Sequence, residues 1–339
     1  MSAYRSPSRA ATANDVARMA QVSQSTVSLV LNGKWEGRIR EETARRVTLA
    51  AETLGYRVNQ AARSLRLGAT GTVLLVTPTL GNSAFADVYT GIATVGTASG
   101  MGVVVFPLAA EDGYGPFPAP KQAIDGVIAC SMPADAVADL SRGLPLVVLD
   151  DASVPRAPTV CMDVGQGMAD ALAHLVSLGH RRIAHLRAER PAWTFAQRAR
   201  AFDQCVLGHP GVEGTRVVSP LLLGEVKDRM TAVLSSPGRP TAVICDDDTM
   251  AMGVYVAART AGLAVGRDLS VVGFDDLPFA PLVVPSLTTV RLPLGDLGRR
   301  GMEMFIELRN GNSVAPVELP ARLVVRDSTG PVPADPYGP

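Results

Sequence analysis

The sequence has no Cys-x-x-Cys pair, and its four cysteines (Cys130, Cys161, Cys205 and Cys245) stand far apart, in or beside apolar runs. That spacing excludes a disulfide framework and a thiolate zinc site, and it fits buried free thiols in a reducing compartment. The four histidines (His174, His180, His185 and His209) are scattered, which suits surface or structural roles rather than metal ligation. There is no P-loop, no G-x-S-x-G elbow and no H-E-x-x-H, and Gly96…Gly100-Met-Gly102 is too loose for a dinucleotide fingerprint. No catalytic residue, metal or cofactor is therefore expected. No apolar run approaches the ~18 residues of a membrane helix, and the chain opens without a signal-peptide core. A cytoplasmic protein is expected, which sets aside a secreted solute-binding protein.

Aromatic residues are few, at 5%, while apolar residues make up 47% of the 339. Such a chain is long enough for two or three domains and suits α/β packing rather than disorder. The formal net charge of zero conceals an asymmetry. Residues 1–70 hold 11 Lys and Arg against 5 Asp and Glu, so a basic head precedes an acidic body. That is the outline of a nucleic-acid reader joined to something else, or of a solvated basic face.

Residues 1–11 read as a flexible basic arm. Thr12-Ala-Asn-Asp15 has the capping-box pattern and opens a helix through Ala20, with Val16 and Met19-Ala20 as its apolar stripe. Ser23 caps a second helix to Leu31, with Val27, Val30 and Leu31 facing inward, and Asn32-Gly33 ends it. Two short helices and a tight turn form a helix-turn-helix or a plain helical hairpin. A third helix from Glu41 to Leu54, with Val47, Ala50, Ala51 and Leu54 at helical spacing, closes a three-helix core. Asn59–Arg66 is too short for a stable isolated helix and is expected to order on binding, before a linker at Gly68–Gly71.

From Thr72 onward, apolar runs such as Val73–Val76, Val103–Phe106, Gly126–Ala129, Leu146–Leu149, Arg182–Leu186, Ala242–Cys245 and Ser270–Phe274 alternate with helical segments. That rhythm predicts doubly wound parallel sheets, enough for two lobes, with ligand beyond the carboxyl ends of the strands. Asp150-Asp151, Asp246-Asp-Asp248 and Asp275-Asp276 stand at those ends, and helix capping is expected for Asp248 and Asp276. Pro107–Gln122 holds four Pro and two Gly and predicts an irregular loop in place of a helix. The tail 328–339, rich in Pro and Gly, is expected to be disordered.

These residues resemble the lactose/galactose repressor (LacI/GalR) family along nearly the whole chain. The matching stretches are Asp15-Val-Ala, Val22-Ser-Gln-Ser-Thr-Val-Ser, Leu31-Asn-Gly, Leu54-Gly-Tyr, Ala62-Arg-Ser-Leu, Leu178-Gly-His-Arg-Arg-Ile-Ala, Met250-Ala-Met-Gly, Ser270-Val-Val-Gly-Phe-Asp-Asp and Leu287-Thr-Thr-Val. Their order and spacing carry the resemblance.

It implies a helix-turn-helix domain over 12–58, a hinge helix and linker over 59–71, and a periplasmic-binding-protein-like core over 72–327. Lobe 1 is expected at about 72–162 and 292–319, and lobe 2 at about 163–291 and 320–327, with crossings near Asp163, Arg291 and Pro320. The implied function is a transcriptional repressor that reads a near-palindromic operator as a homodimer, its affinity controlled by a small-molecule effector. The Pro-rich tail argues against a C-terminal oligomerisation helix, hence a dimer rather than a tetramer.

By matched position, Gln24, Ser25 and Leu29 face base edges, where Leu29 offers apolar contact in place of a common Arg. Ser23, Thr26 and Asn32 suit phosphate contacts. Asn59, Ala62 and Leu65 form the minor-groove hinge, with Leu65 the wedge. Three departures from the family pattern are Gln21 for a turn Gly, Arg40 for a capping Ser, and Val58 for Pro. The effector cleft is expected to be lined by Phe85, Asp150, Arg198, Asp247 and Asp275, with Trp193 or Phe195 stacking on a ring. Several carboxylates and one Arg suit a sugar, with a cationic ligand as the alternative.

Overall fold

The structure is a computed structural model that describes residues 11–56, 69–110, 113–114, 123–132, 136, 143–154 and 156–332. Val58 and the hinge positions Asn59, Ala62 and Leu65 lie outside the described residues, as do 333–339. So do five of the eleven basic residues of the head: Arg5, Arg9, Arg57, Arg63 and Arg66. The chain divides into two units, residues 1–70 and 71–339.

The first unit contains α1 (Ala13–Ala20), α2 (Gln24–Leu31) and α3 (Glu41–Thr53). The capping box at its start is formed: Asp15 N–H donates to Thr12 Oγ1 at 3.3 Å and Thr12 N–H to Asp15 Oδ2 at 3.0 Å. Val16, Ala17, Ala20, Val27, Val30, Ala44, Val47, Ala50 and Ala51 make the core. Met19, expected inside, is 51% exposed, and Ala17 fills the inward position instead. One turn of helix after Val16 brings position 20, not 19, back to the buried face. Arg40 begins α3 without a side-chain cap.

Gln21 ends α1 in the left-handed region at φ 53°. Side chains with a Cβ are strained there and glycine is not. Gln21→Gly is therefore expected to stabilise this unit by about 1 kcal/mol. The readout is roughly fivefold slower hydrogen exchange of α1 and α2 amides in the full chain, since ~1.4 kcal/mol is tenfold. Unchanged or faster exchange would contradict it.

The second unit holds two six-stranded sheets. The first runs β13-β7-β6-β5-β1-β2 and the second β14-β12-β11-β10-β8-β9. In the first are β1 (Thr72–Thr77), β2 (Gly102–Pro107), β5 (Gly126–Cys130), β6 (Leu146–Leu149), β7 (Thr159–Asp163) and β13 (Val317–Pro320), all parallel. The second contains β8 (Arg182–Ala188), β9 (Glu213–Ser219), β10 (Ala242–Cys245), β11 (Ser270–Asp275) and β12 (Thr288–Arg291), with β14 (Arg322–Val324) antiparallel at its edge. The chain moves from one sheet to the other after Asp163, after Arg291 and between Pro320 and Arg322. The central strands β1, β5, β10 and β11 are buried almost throughout, as helix cover on both faces requires.

Helices α4 (Ala84–Ala98) and α9 (Leu294–Arg309) pack together on the first sheet. Glycine permits their approach, because a Cβ at Gly298 would fall on the Val88 carbonyl and one at Gly91 on that of Gly295. Around the second sheet lie α5 (Val164–Ser177), α6 (Trp193–Gly208), α7 (Leu223–Leu234) and α8 (Asp248–Thr260). The proline-rich segment after β2 is partly described. Ala109–Ala110 (β3) pairs antiparallel with Gly113–Tyr114 (β4), a short ribbon rather than a helix.

The tail needs correcting. Residues 328–332 are not disordered but fastened to the second lobe. Ser328 is fully buried, its Oγ donating to the Val271 carbonyl at 2.6 Å and accepting from Thr288 N–H at 2.7 Å. Thr329 Oγ1 meets His174 Nε2 at 2.9 Å, the Gly330 carbonyl lies 3.0 Å from His180 Nε2, and Val332 N–H donates to the Leu178 carbonyl at 2.9 Å. The anchors are hydroxyls and backbone groups, which leave no apolar period in the sequence.

Candidate functional site

In the first unit the three residues expected to face base edges stand on α2. Gln24 and Ser25 are exposed and Leu29 is half-buried, away from inward-facing Val27 and Val30. Ser25 and Leu29, four apart, share a face, and Gln24 lies about 100° round the helix from Ser25. Ser23 caps the helix, accepting from Thr26 N–H at 3.1 Å, while its Oγ lies 2.7 Å from Ser25 Oγ and 2.9 Å from Thr26 Oγ1. Asn32 donates through Nδ2 to the Ser28 carbonyl at 2.6 Å. All three expected phosphate contacts thus already have a local partner, which fixes their side chains at the two ends of the helix.

The second unit contains a cleft of about 400 Å³. Its wall draws on residues at or beyond the carboxyl ends of strands in both sheets, the position where such folds hold ligands. From the first lobe come Thr79, Asn82, Phe85, Cys130, Ser131, Asp150 and Leu292, and from the second Arg190, Thr194, Phe195, Arg198, Asp247, Thr249 and Asp275. Five expected residues, Phe85, Asp150, Arg198, Asp247 and Asp275, are therefore brought together. Of the two aromatic candidates Trp193 is not among the lining residues of the cleft, whereas Phe195 is, together with Thr194 of α6. One residue along a helix turns a side chain by about 100°, enough to move it off the wall.

Strain concentrates at this wall. Ser131, Asp150 and Asp275 have positive φ (52°, 59° and 111°), and Asp276 follows at 61°. Non-glycine residues in that region are uncommon, and they mark places where surrounding structure dictates the backbone.

Arg198 is a buried cation of the cleft wall, only 3% exposed. Its Nη1 donates to the Asp246 carbonyl, and its guanidinium lies 4.4 Å from the Phe274 ring centroid and 5.2 Å from that of Phe195. Its Nε has no hydrogen-bond partner, nor has Asp150 Oδ1, although both atoms are buried. Asp150 Oδ2 accepts from Ser131 Oγ at 3.2 Å. Burial pushes the Asp150 carboxyl up to about 6, against the opposing pull of Arg198. Burial likewise raises Asp247 and, much further, Asp275. Burial also keeps the Cys130 thiol protonated, so it lines the cleft as an inert apolar group.

The Asp246–Asp248 run splits into three fates, and here expectation and structure part. Asp247, not Asp248, caps α8, accepting from Met250 N–H at 2.6 Å while also lining the cleft. Asp248 is buried beneath, accepting from Thr289 Oγ1 at 2.6 Å and Leu277 N–H at 2.7 Å, and burial pushes it up to about 7. Asp246 points to His185, Nε2 to Oδ1 at 2.8 Å. Asp276 is no cap either: it accepts from Arg291 Nε and Arg326 Nη2, each at 2.6 Å. No group of three or more potential metal ligands occurs among the described residues, and no helix there is long and apolar enough to cross a membrane.

Comparison with known proteins bears on both units. The family of bacterial regulatory proteins, lacI family, matches residues 12–59, and the periplasmic binding protein-like domain matches 172–329. The chain is 33% identical over 341 residues to the HTH-type transcriptional regulator MalR of Streptomyces coelicolor, covering 95% of this chain and 97% of that one. It is 30% identical to catabolite control protein A of Priestia megaterium, with 93% and 98% covered. Among solved structures, the Lac repressor bound to ONPG in the repressed state matches with TM-score 0.79 at 25% identity, covering 95% of this chain and all of that one. A complex of the regulator CelR with cellobiose matches with TM-score 0.66, also at 25% identity, with 94% and 99% covered. With a helix-turn-helix head and a two-sheet core matched along almost its full length, the chain belongs to the lacI family of bacterial transcriptional regulators.

Proposed function

We propose that the protein is a repressor that binds a near-palindromic operator as a homodimer, its affinity set by a small sugar in the cleft. The observation that carries the effector half is a pair of buried, unpartnered polar atoms on the cleft wall, Arg198 Nε and Asp150 Oδ1. Buried polar groups are almost always paired, and a polyhydroxyl ligand supplies both an acceptor for the guanidinium and a donor for the carboxylate. Relatives point the same way, since solved family members include complexes with ribose and cellobiose.

Gln24, Ser25 and Leu29 read base edges, with Gln24 suited to a bidentate contact on adenine and Leu29 to a thymine methyl. Ser23, Thr26 and Asn32 set register through phosphates, and Asn59, Ala62 and Leu65 enter the central minor groove. Ligand shifts the dimer between two states, and DNA affinity changes only by the ligand's differential affinity for them.

Selection of duplexes from a random pool tests the DNA half. A near-palindromic site should be enriched, and its affinity should fall steeply with salt, by ~10³-fold or more between 50 and 200 mM if six or more phosphates are engaged. Gln24→Ala should then cost about 1–3 kcal/mol on that site. A pool with no enriched sequence, with or without sugars present, would overturn the reading. Three carboxylates around one buried arginine also favour an amino sugar, so the ligand panel includes one beside each neutral hexose.

A further inference from the structure

Beneath the cleft wall lies a polar pair that touches no ligand position and that the proposed function leaves unexplained. His185, on β8, and Asp246, just beyond β10, are both fully buried, with His185 Nε2 2.8 Å from Asp246 Oδ1. A carboxylate only accepts, so Nε2 carries the proton and donates it. The other oxygen, Asp246 Oδ2, accepts from Ala188 N–H at 2.8 Å. One side chain therefore ties down both His185 and the end of β8, from which the chain runs on to Arg190 and Ala192 at the cleft.

The main-chain carbonyl of the same Asp246 receives Nη1 of Arg198. Four residues further along α6, Phe202 lies against His185, with ring centroids 4.9 Å apart. Arg198 and its neighbour one turn on are thus seated on the two members of a single buried pair. His185 Nδ1 is itself buried without a partner. An apolar pair of the same shape would carry no such penalty, so stability alone is a poor reason for this arrangement.

We infer that His185 and Asp246 are positioning residues for the effector site: the pair fixes the carbonyl on which the Arg198 guanidinium is docked, and so its orientation in the cleft. The role as an effector site rests on the proposed function, but the positioning is a property of the free protein and is tested there.

The full-length protein is labelled uniformly with ¹⁵N, and the Arg198 Nε–H signal is identified by its loss in Arg198→Lys. Because that N–H is buried, its exchange with solvent is slow in the wild type. In His185→Leu it should exchange at least ~10-fold faster, while the backbone amides of Val243 and Ile244 keep their protection. His185→Gln, whose amide can still donate to Asp246, should restore exchange to within ~2-fold of wild type.

Three outcomes would overturn the inference. Arg198 exchange could be unchanged in His185→Leu. It could rise in step with the β10 amides, which marks a purely structural pair. It could stay fast in His185→Gln. A panel in which no sugar binds the wild type would sink the effector reading and leave this result standing.

Discussion

Arg198→Met is expected to bind sugar at least ~100-fold more weakly than the wild type, because a charge-assisted hydrogen bond and a buried cation of the cleft wall are lost together. Methionine keeps much of the arginine stem, so packing between Phe195 and Phe274 changes little. The larger effect is electrostatic. Arg198 is what pulls the Asp150 and Asp275 carboxyls down against their burial. Without it both rise further, so the carboxyls accept more weakly while the guanidinium donor is lost. Titration calorimetry, with a thermal melt to confirm folding, checks this. Binding within threefold of wild type in a folded variant would show that the ligand sits elsewhere.

Asp150→Asn raises stability at pH 7.5 and flattens its pH dependence. The Asp150 carboxyl, ordinarily at 3.8, stands at about 6 in the folded chain because burial disfavours its charge. The folded state therefore binds a proton more tightly than the unfolded one. That stability is fully present below about pH 4 and is lost as pH rises through about 6. A rise of roughly two units corresponds to about 3 kcal/mol. Asn cannot ionise, so the variant escapes this loss, and it tolerates the left-handed backbone at φ 59°. Asp248, pushed up to about 7, contributes the same sign in both proteins and leaves a residual slope. Urea denaturation from pH 4 to 8 should show the two curves diverging between about pH 4 and 6 and keeping a constant offset above that. Curves parallel from pH 4 upward would contradict the burial-driven rise of the Asp150 carboxyl.

Much of the fold was legible because local signals agreed with tertiary demand. Thr12 and Asp15 spelled a capping box that forms, and the apolar runs from Val73 to Phe274 became strands at the ends of which the acidic residues stand. What stayed hidden depended on register or on polar burial. In Asp246-Asp-Asp248, three identical side chains take three roles, decided by where α8 begins. Composition gives no sign of that choice. His185 reads as one of four scattered histidines until β8 and β10 set it beside Asp246. Ser328 and Thr329 look like the start of a loose tail because hydroxyls and backbone, not an apolar stripe, bury them. The Gly91 and Gly298 contacts need two helices at once, one from each end of the core sequence.

The central claim is that one molecule couples a cleft to a DNA-reading helix. It is tested most directly by titrating the selected duplex into the full-length protein with and without each sugar of the panel. The account predicts a sugar that changes the duplex Kd at least ~5-fold, with its own affinity changed by the same factor when duplex is present. A sugar that binds the cleft while the duplex Kd stays constant would contradict it.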